Sequence, residues 1–285
     1  MTQEPIQFKK QRELGEILNS TFKFLRENYK EVFKIFIKLL SPAFIILVGA
    51  AAYYSWISSG SMSIFGAEGS SSFIIAMAVL FVAYWFYITA MTGTVYHIIL
   101  SYVTNSGKIR HEDVKHGIRR DFAKLLILTL ISWIMIFAGT LFFIIPGIFL
   151  MVPLSLSAAI MVFQRKGISE SISDSFYLIK ENWWMTFASI LCIGLIVYMI
   201  SLVFQIPTII YYVIKIMTSA SQGSAANPSE LLGTGYIVIN TISTMIQYLV
   251  YAITPIAMAL VYFNLNEKKH FTGTYETIEN LGKNT

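Results

Sequence analysis

Few residues in this chain could do acid–base or ligand chemistry. His111-Glu112-Asp113-Val114-Lys115-His116 is the one stretch where imidazoles and carboxylates crowd together. On a 3.6-residue helix Glu112 and His116 share a face, whereas His111 and His116 diverge by about 140°. This is not the H-E-x-x-H spacing that points two imidazoles at one metal, and no cysteine accompanies it. The cluster reads as a solvated helix start, with no metal and no cofactor expected. His97 is a different case, set among Thr89, Thr92, Thr94 and Ser101 in an otherwise apolar run. An ionisable group there is a candidate for a solute pathway; hydration or local pairing about one turn from the interface is the alternative. The densest polar group in an apolar run is Asn240, Thr241, Ser243, Thr244 and Gln247. With Gln205 it would either line a cavity for a small polar solute or lipid, or tie helices together by hydrogen bonds. The candidate solute- or lipid-facing residues are therefore His97, Gln205, Asn240, Thr244 and Gln247. No P-loop, nucleophile elbow or metalloprotease helix is present. No catalytic constellation stands out, so no enzyme is expected.

Those residues sit in a chain that is 55% apolar and 13% charged, against about 45–50% and about 25% for soluble domains. A helix needs about 20 apolar residues to cross the hydrocarbon. Six stretches approach or exceed this: Phe33–Ile57, Phe73–Val103, Ala123–Ile145, Ile148–Phe163, Trp183–Ile214 and Tyr236–Phe263. Backbone groups in lipid must be satisfied internally, which demands helices. The fold class is all-α, a polytopic helical membrane protein of about six transmembrane helices. The fourth stretch is short and contains Pro153, so it either crosses or forms a re-entrant hairpin with the third. No Asp, Glu or Arg lies in any of the six, which argues against ion-coupled transport and voltage sensing.

Of the 21 Lys and Arg residues, all but Lys215 fall before or just inside the first stretch, between the second and third, between the fourth and fifth, or in the tail. By the positive-inside rule both termini are cytoplasmic. This also explains the net charge of +5 without nucleic acid; anionic lipid headgroups are the expected partners of these cations. No cleavable leader is expected before the polar N-terminal stretch. The single cysteine, Cys192, excludes an intrachain disulfide.

Glu16 to Tyr29 resembles Glu170 to Trp183 at an offset of 154 residues: Glu16/Glu170, Phe22/Phe176, Glu27/Glu181 and Asn28/Asn182 coincide. In each, apolar residues recur at three- or four-residue steps (Leu14, Ile17, Leu18, Thr21, Leu25 and Ile168, Ile172, Phe176, Ile179), as in an amphipathic helix lying in the headgroup plane. Each segment ends in Asn plus an aromatic, and Asp121-Phe122 repeats that joint. Asn28, Asp121 and Asn182 are thus expected to cap the helix that follows, with Trp183 at the interface. The pattern gives three degenerate units, 12–103, 109–164 and 168–264, each an interfacial amphipathic helix followed by two spans. Together they form one membrane domain, 12–264, between cytoplasmic tails at 1–11 and 265–285.

Leu14-Gly15-Glu16-Ile17-Leu18 leading to Phe22, the Ile145-Pro146-Gly147-Ile148-Phe149-Leu150 turn, and Gly167…Glu170…Phe176 ending in Asn182-Trp183 resemble a broad bacterial group. It comprises the membrane domain found beside glycerophosphoryl diester phosphodiesterases and the YciC-like proteins. The resemblance covers most of 12–265 and implies an inner-membrane architecture; the separate phosphodiesterase domain has no counterpart here. The expected role is non-enzymatic: a membrane scaffold or accessory protein engaging inner-leaflet lipids or a membrane or peripheral protein partner. The alternative is a facilitator of a small solute or lipid. The tail Glu267-Lys268-Lys269…Ile278-Glu279-Asn280-Leu281-Gly282 is expected to form one more short cytoplasmic helix.

Overall fold

The computed structural model describes residues 6–60, 67–221 and 233–283, so parts of the gaps between the expected spans, at 58–72 and 215–235, lie outside the described residues. Among the described residues there are helices and no strands. In chain order they are α1 (Leu14–Leu39), α2 (Ser41–Gly60), α3 (Ala67–Thr104), α4 (His111–Phe142), α5 (Ile144–Gln164), α6 (Ile168–Ile179), α7 (Trp183–Ser221), α8 (Thr234–Val250), α9 (Ile253–His270) and α10 (Thr272–Lys283). Six segments are long and apolar enough to cross a membrane: Ser41–Ser58, Ser71–Thr104, His111–Phe142, Ile144–Gln164, Trp183–Ser219 and Thr234–His270.

Three breaks differ from the expected spans, and each has a proline just past it. Proline has no N–H to give the carbonyl four residues back, so it costs least in a helix's first turn, where that amide has no partner anyway. Pro42 lies in the first turn of α2, and the stretch read as one span from Phe33 divides at Leu40. Pro255 lies in the first turn of α9, dividing the expected Tyr236–Phe263 span at Tyr251 and Ala252. Pro146 lies in the first turn of α5; the turn before it is Phe143, extended at φ −162° and ψ 151°, rather than Pro146-Gly147. α5 consequently has 21 residues instead of the expected Ile148–Phe163, about 32 Å at 1.5 Å per residue. Pro153 and Pro207 stay inside continuous helices α5 and α7.

The chain divides into two compact units. The first comprises Met1–Leu39, Thr89–Leu195 and Ala252–Thr285. Its core is the second half of α5 and most of α9: Val152, Leu156, Ala159, Ile160, Val162, Ile256, Ala257, Ala259 and Leu260 are fully buried. Glycines let α4 and α5 approach closely at their hairpin. A Cβ on Gly147 would overlap Thr140 Oγ1 and stand 3.0 Å from Thr140 Cα, and one on Gly139 would stand 3.3 Å from Gly147 Cα. The second unit comprises Leu40–Ile88 and Ile196–Tyr251. There α2 packs on α8, Phe44 packs on Tyr87, and Tyr84 and Tyr87 pack on Tyr248. Much of the apolar surface in both units is open: Ile45, Trp56, Phe81, Phe137, Leu141, Phe142, Leu195 and Val203 are exposed. A soluble chain does not leave patches of this extent uncovered.

Residues 6–11, within the expected cytoplasmic tail, pack into the first unit's core. The Ile6 N–H donates to Tyr102 Oη at 2.8 Å. Phe8, only 2% exposed, meets Phe24, Tyr102 and Phe263 edge-on at 5.6–5.8 Å between centroids. Arg12 is buried, and its guanidinium folds back onto the carbonyls of Gln7, Phe8 and Lys10 while its N–H donates to Asn264 Oδ1. A buried cation needs such partners. At the other end, Glu267 of α9, 2% exposed, turns its carboxylate onto the start of α10. Oε2 accepts from the Gly273 N–H and Thr272 Oγ1, and Oε1 from the Thr274 N–H and Oγ1. Those amides are orphans of the first turn, and an anion suits that end of a helix. Gly273 passes so close to the Lys9 carbonyl that a Cβ could not fit, and Lys9 pairs with Glu276. The short helix expected in the tail is thus α10, clasped to the N-terminal segment.

Candidate functional site

Two cavities adjoin on either side of the end of α3, sharing Leu100 and Thr104. The first, about 290 Å³, is lined by His97 and Ser101 of α3, Asp113, His116, Gly117 and Arg120 of α4, and Arg165 beyond α5. The second, about 490 Å³, has an aromatic floor of Phe163, Tyr262 and Phe263 and a rim that includes Lys166 and His270.

His97 forms part of the first cavity's wall and is 3% exposed. It reaches α4 because residue 117 is glycine, whose Cβ would otherwise overlap the imidazole. Its Nε2 stands 3.3 Å from Asp121 Oδ2, within ion-pair distance but off the axis of a hydrogen bond. Asp121 is held on its other side by Arg120, whose Nε and Nη2 donate to Oδ1 and Oδ2 at 2.9 and 2.8 Å. This two-point geometry fixes both planes. At the opposite rim Asp113 accepts from Asn105 Nδ2 at 3.1 Å. Arg165 follows the last residue of α5 with φ 55° and ψ 39°. A left-handed conformation there normally goes to glycine. Among the described residues no carboxylate stands within ion-pair distance of Arg165. Arg120, His116 and Arg165 are all exposed at the cavity mouth, so the cleft presents two guanidinium cations around a buried imidazole.

The structure brings His97 and Asp121 together but corrects the role expected of Asp121. It is interior to α4 and caps nothing; the helix runs from His111 without a break because the Arg120 pair leaves Asp121 no reason to compete for backbone amides. Asn28 likewise lies inside α1, where its Nδ2 donates to the Phe24 carbonyl at 3.0 Å. Of the three expected caps, only Asn182 stands just before a helix, its carbonyl accepting from Thr186 N–H and Oγ1. Trp183 stacks between Phe149 and Phe187 at 5.7 and 5.3 Å. Phe176 is half-buried, and the exposed aromatic of α6 is its neighbour Tyr177, covered by the Lys269 ammonium at 3.2 Å from the ring centre.

His111 and His116 are drawn apart. His111 Nε2 donates to Glu31 of α1 at 2.8 Å, and that bond, with one from Lys34, holds the Glu31 carboxyl below its ordinary range. No group of three metal-ligating side chains gathers among the described residues.

In the second unit, Gln205 Nε2 of α7 donates to Gln247 Oε1 of α8 at 3.3 Å, and Thr208 Oγ1 lies 3.1 Å from Ser243 Oγ. Asn240 and Thr244 are half-buried on α8. Gln247 and Ser243 therefore bond across to α7, tying the two helices together. Gln247→Leu is expected to cost about 0.6 kcal/mol, the usual worth of one such bond in a membrane. Thermal unfolding in detergent checks it, and a Gln205→Leu/Gln247→Leu pair should cost little more than either change alone.

Sequence reasoning counted Arg120 and Arg165 only as topology markers. The available signal was Arg165 directly at an apolar helix end without an intervening glycine, two residues before Gly167. Searches against family models, curated proteins and solved structures return no match.

Proposed function

We propose that this chain is a non-enzymatic, multi-pass inner-membrane protein, with cytoplasmic termini, that acts as a scaffold or accessory by engaging the lipids of one leaflet. The surface of α1 carries this reading. One face is buried, through Ile17, Thr21, Phe24, Val32 and Ile35. Phe22, Tyr29, Phe33 and Ile37, all exposed, make a second, apolar face. Lys23, Lys30 and Lys34 flank it on one side, and Arg26 projects from within it. An apolar stripe edged by long cations is how a helix lies at an anionic bilayer surface, its aromatics among the acyl chains and its ammonium groups among the phosphates.

Two local agreements support a repeat of α1 in α6. In each, the glutamate at the third helical position accepts from the N–H just before the helix: Glu16 from Glu13 at 3.4 Å and Glu170 from Gly167 at 3.2 Å. The buried positions Ile17, Thr21 and Phe24 also match the buried Ser171, Ser175 and Leu178 at the same 154-residue offset. The third copy rests on Val114, Gly117, Ile118 and Asp121, which are buried on α4. Kinship to the membrane domain beside glycerophosphoryl diester phosphodiesterases rests on the short motifs alone.

The test places spin labels at 22, 29, 33 and 31 in a Cys192→Ser background, reconstituted in anionic vesicles. Labels at 22, 29 and 33 are expected to favour collision with oxygen, and the label at 31 with a water-soluble nickel chelate. Water-like accessibility at all four positions would overturn the reading.

A further inference from the structure

We infer that the cavity between α3, α4 and the end of α5 is a discrete binding site for a phosphate anion, held by Arg165, Arg120 and His116. This goes beyond diffuse attraction to a membrane surface, since it names one pocket and one ligand chemistry. Three observations converge. The cavity of about 290 Å³ has room for a phosphate group and its waters. Its lining carries two guanidiniums and the imidazoles of His97 and His116 against a single carboxylate, Asp113, which already accepts from Asn105. Arg165 adopts a left-handed backbone conformation that a side chain other than glycine rarely takes. Such conformations persist where surrounding structure holds them and cluster at ligand sites.

Each group has a role that its geometry allows. Arg165 makes no ion pair among the described residues, so its planar fork is free for two phosphate oxygens. Arg120 spends Nε and Nη2 on Asp121 and keeps Nη1 for the anion. His97 and Gly117 form the wall that fixes α3 against α4 at this point. The adjoining cavity shares Leu100 and Thr104 and is floored by Phe163, Tyr262 and Phe263. That floor is apolar enough to take the glycerol and first methylenes attached to a lipid phosphate. Phosphate is thus the shared chemistry, arriving either as a phospholipid headgroup or as the free ion.

The full chain is placed in nanodiscs of phosphatidylcholine, with or without phosphatidylglycerol, and compared with Arg165→Gly and Arg119→Gln. Glycine suits the left-handed conformation, so Arg165→Gly removes the guanidinium while relieving the backbone and is expected to fold at least as well. Arg119 is equally exposed on α4 but does not line the cavity, and controls for bulk charge. In native mass spectra the wild type and Arg119→Gln are expected to retain one phosphatidylglycerol, and Arg165→Gly to retain it about tenfold more weakly, the scale of a charge-assisted bond. If no lipid is retained but inorganic phosphate raises the melting temperature of wild type and not of Arg165→Gly in phosphatidylcholine discs, the site takes the free ion. Equal behaviour of all three proteins, or equal weakening by both substitutions, overturns the proposal. The spin-label experiment on α1 does not touch this cavity, so the two readings fail separately.

Discussion

Glu267→Ala is expected to release both ends of the chain at once. The carboxylate accepts four hydrogen bonds from residues 272–274, and bonds to a charged group are each worth more than neutral ones. Truncation strands the amides of the first turn of α10, with a loss of about 3 kcal/mol in the docking of that helix. The N-terminal segment should follow, because Gly273 lies against the Lys9 carbonyl and Glu276 pairs with Lys9. Hydrogen–deuterium exchange should rise together at residues 6–12 and 272–283, while the α5 and α9 core stays protected. Faster exchange at 272–283 alone would show that the segment is held by the Phe8 cluster without help from α10. Glu267→Gln keeps one acceptor oxygen and should fall between.

Gly147→Val should damage the hairpin of α4 and α5. Its Cβ would overlap Thr140 Oγ1 and approach the Thr140 backbone, and backbone cannot swing aside as a flexible side-chain end can. Overpacking of this kind costs about 2–3 kcal/mol, and close approach through small residues is what holds membrane helices together. The expected result is a lower melting temperature in detergent and less protein recovered after extraction. Thr140→Ala removes the oxygen but leaves the backbone of residue 140 in the way, so the double variant should regain only part of the loss. Full additivity would mean that the two residues do not meet.

The spans were legible because apolar length is read directly against bilayer thickness; α3 and α7 run through the stretches expected of them. Their interruptions were less so. Pro42, Pro146 and Pro255 were visible, but a proline inside an apolar run looks the same whether it kinks a helix or starts one. The outcome depends on whether the freed carbonyl finds another partner, which only packing decides. Asn28 and Asp121 show the same limit from another side. Both residue types favour caps, yet Asn28 bonds back to its own helix and Asp121 pairs with Arg120 and His97. The tertiary partner of Asp121 lies 24 residues away in sequence, and no local pattern announces it. The cleft was half legible: His97 stood out as an ionisable residue in an apolar run, whereas Arg165 was hidden among cations that topology already explained. Its left-handed backbone is a property of the folded chain alone.

The burial of Phe8 against Phe263 and of Arg12 against Asn264 also sets an order of events during synthesis. The aromatic pocket that receives Phe8 includes Phe263, which is synthesised 255 residues later. At translation rates of about 5–20 residues per second, the nascent N-terminal segment waits on the order of tens of seconds before that pocket is complete. A chain stopped short of α9 would therefore present Phe8 and a half-solvated Arg12, a local mark by which quality-control proteases can tell an unfinished copy from a finished one.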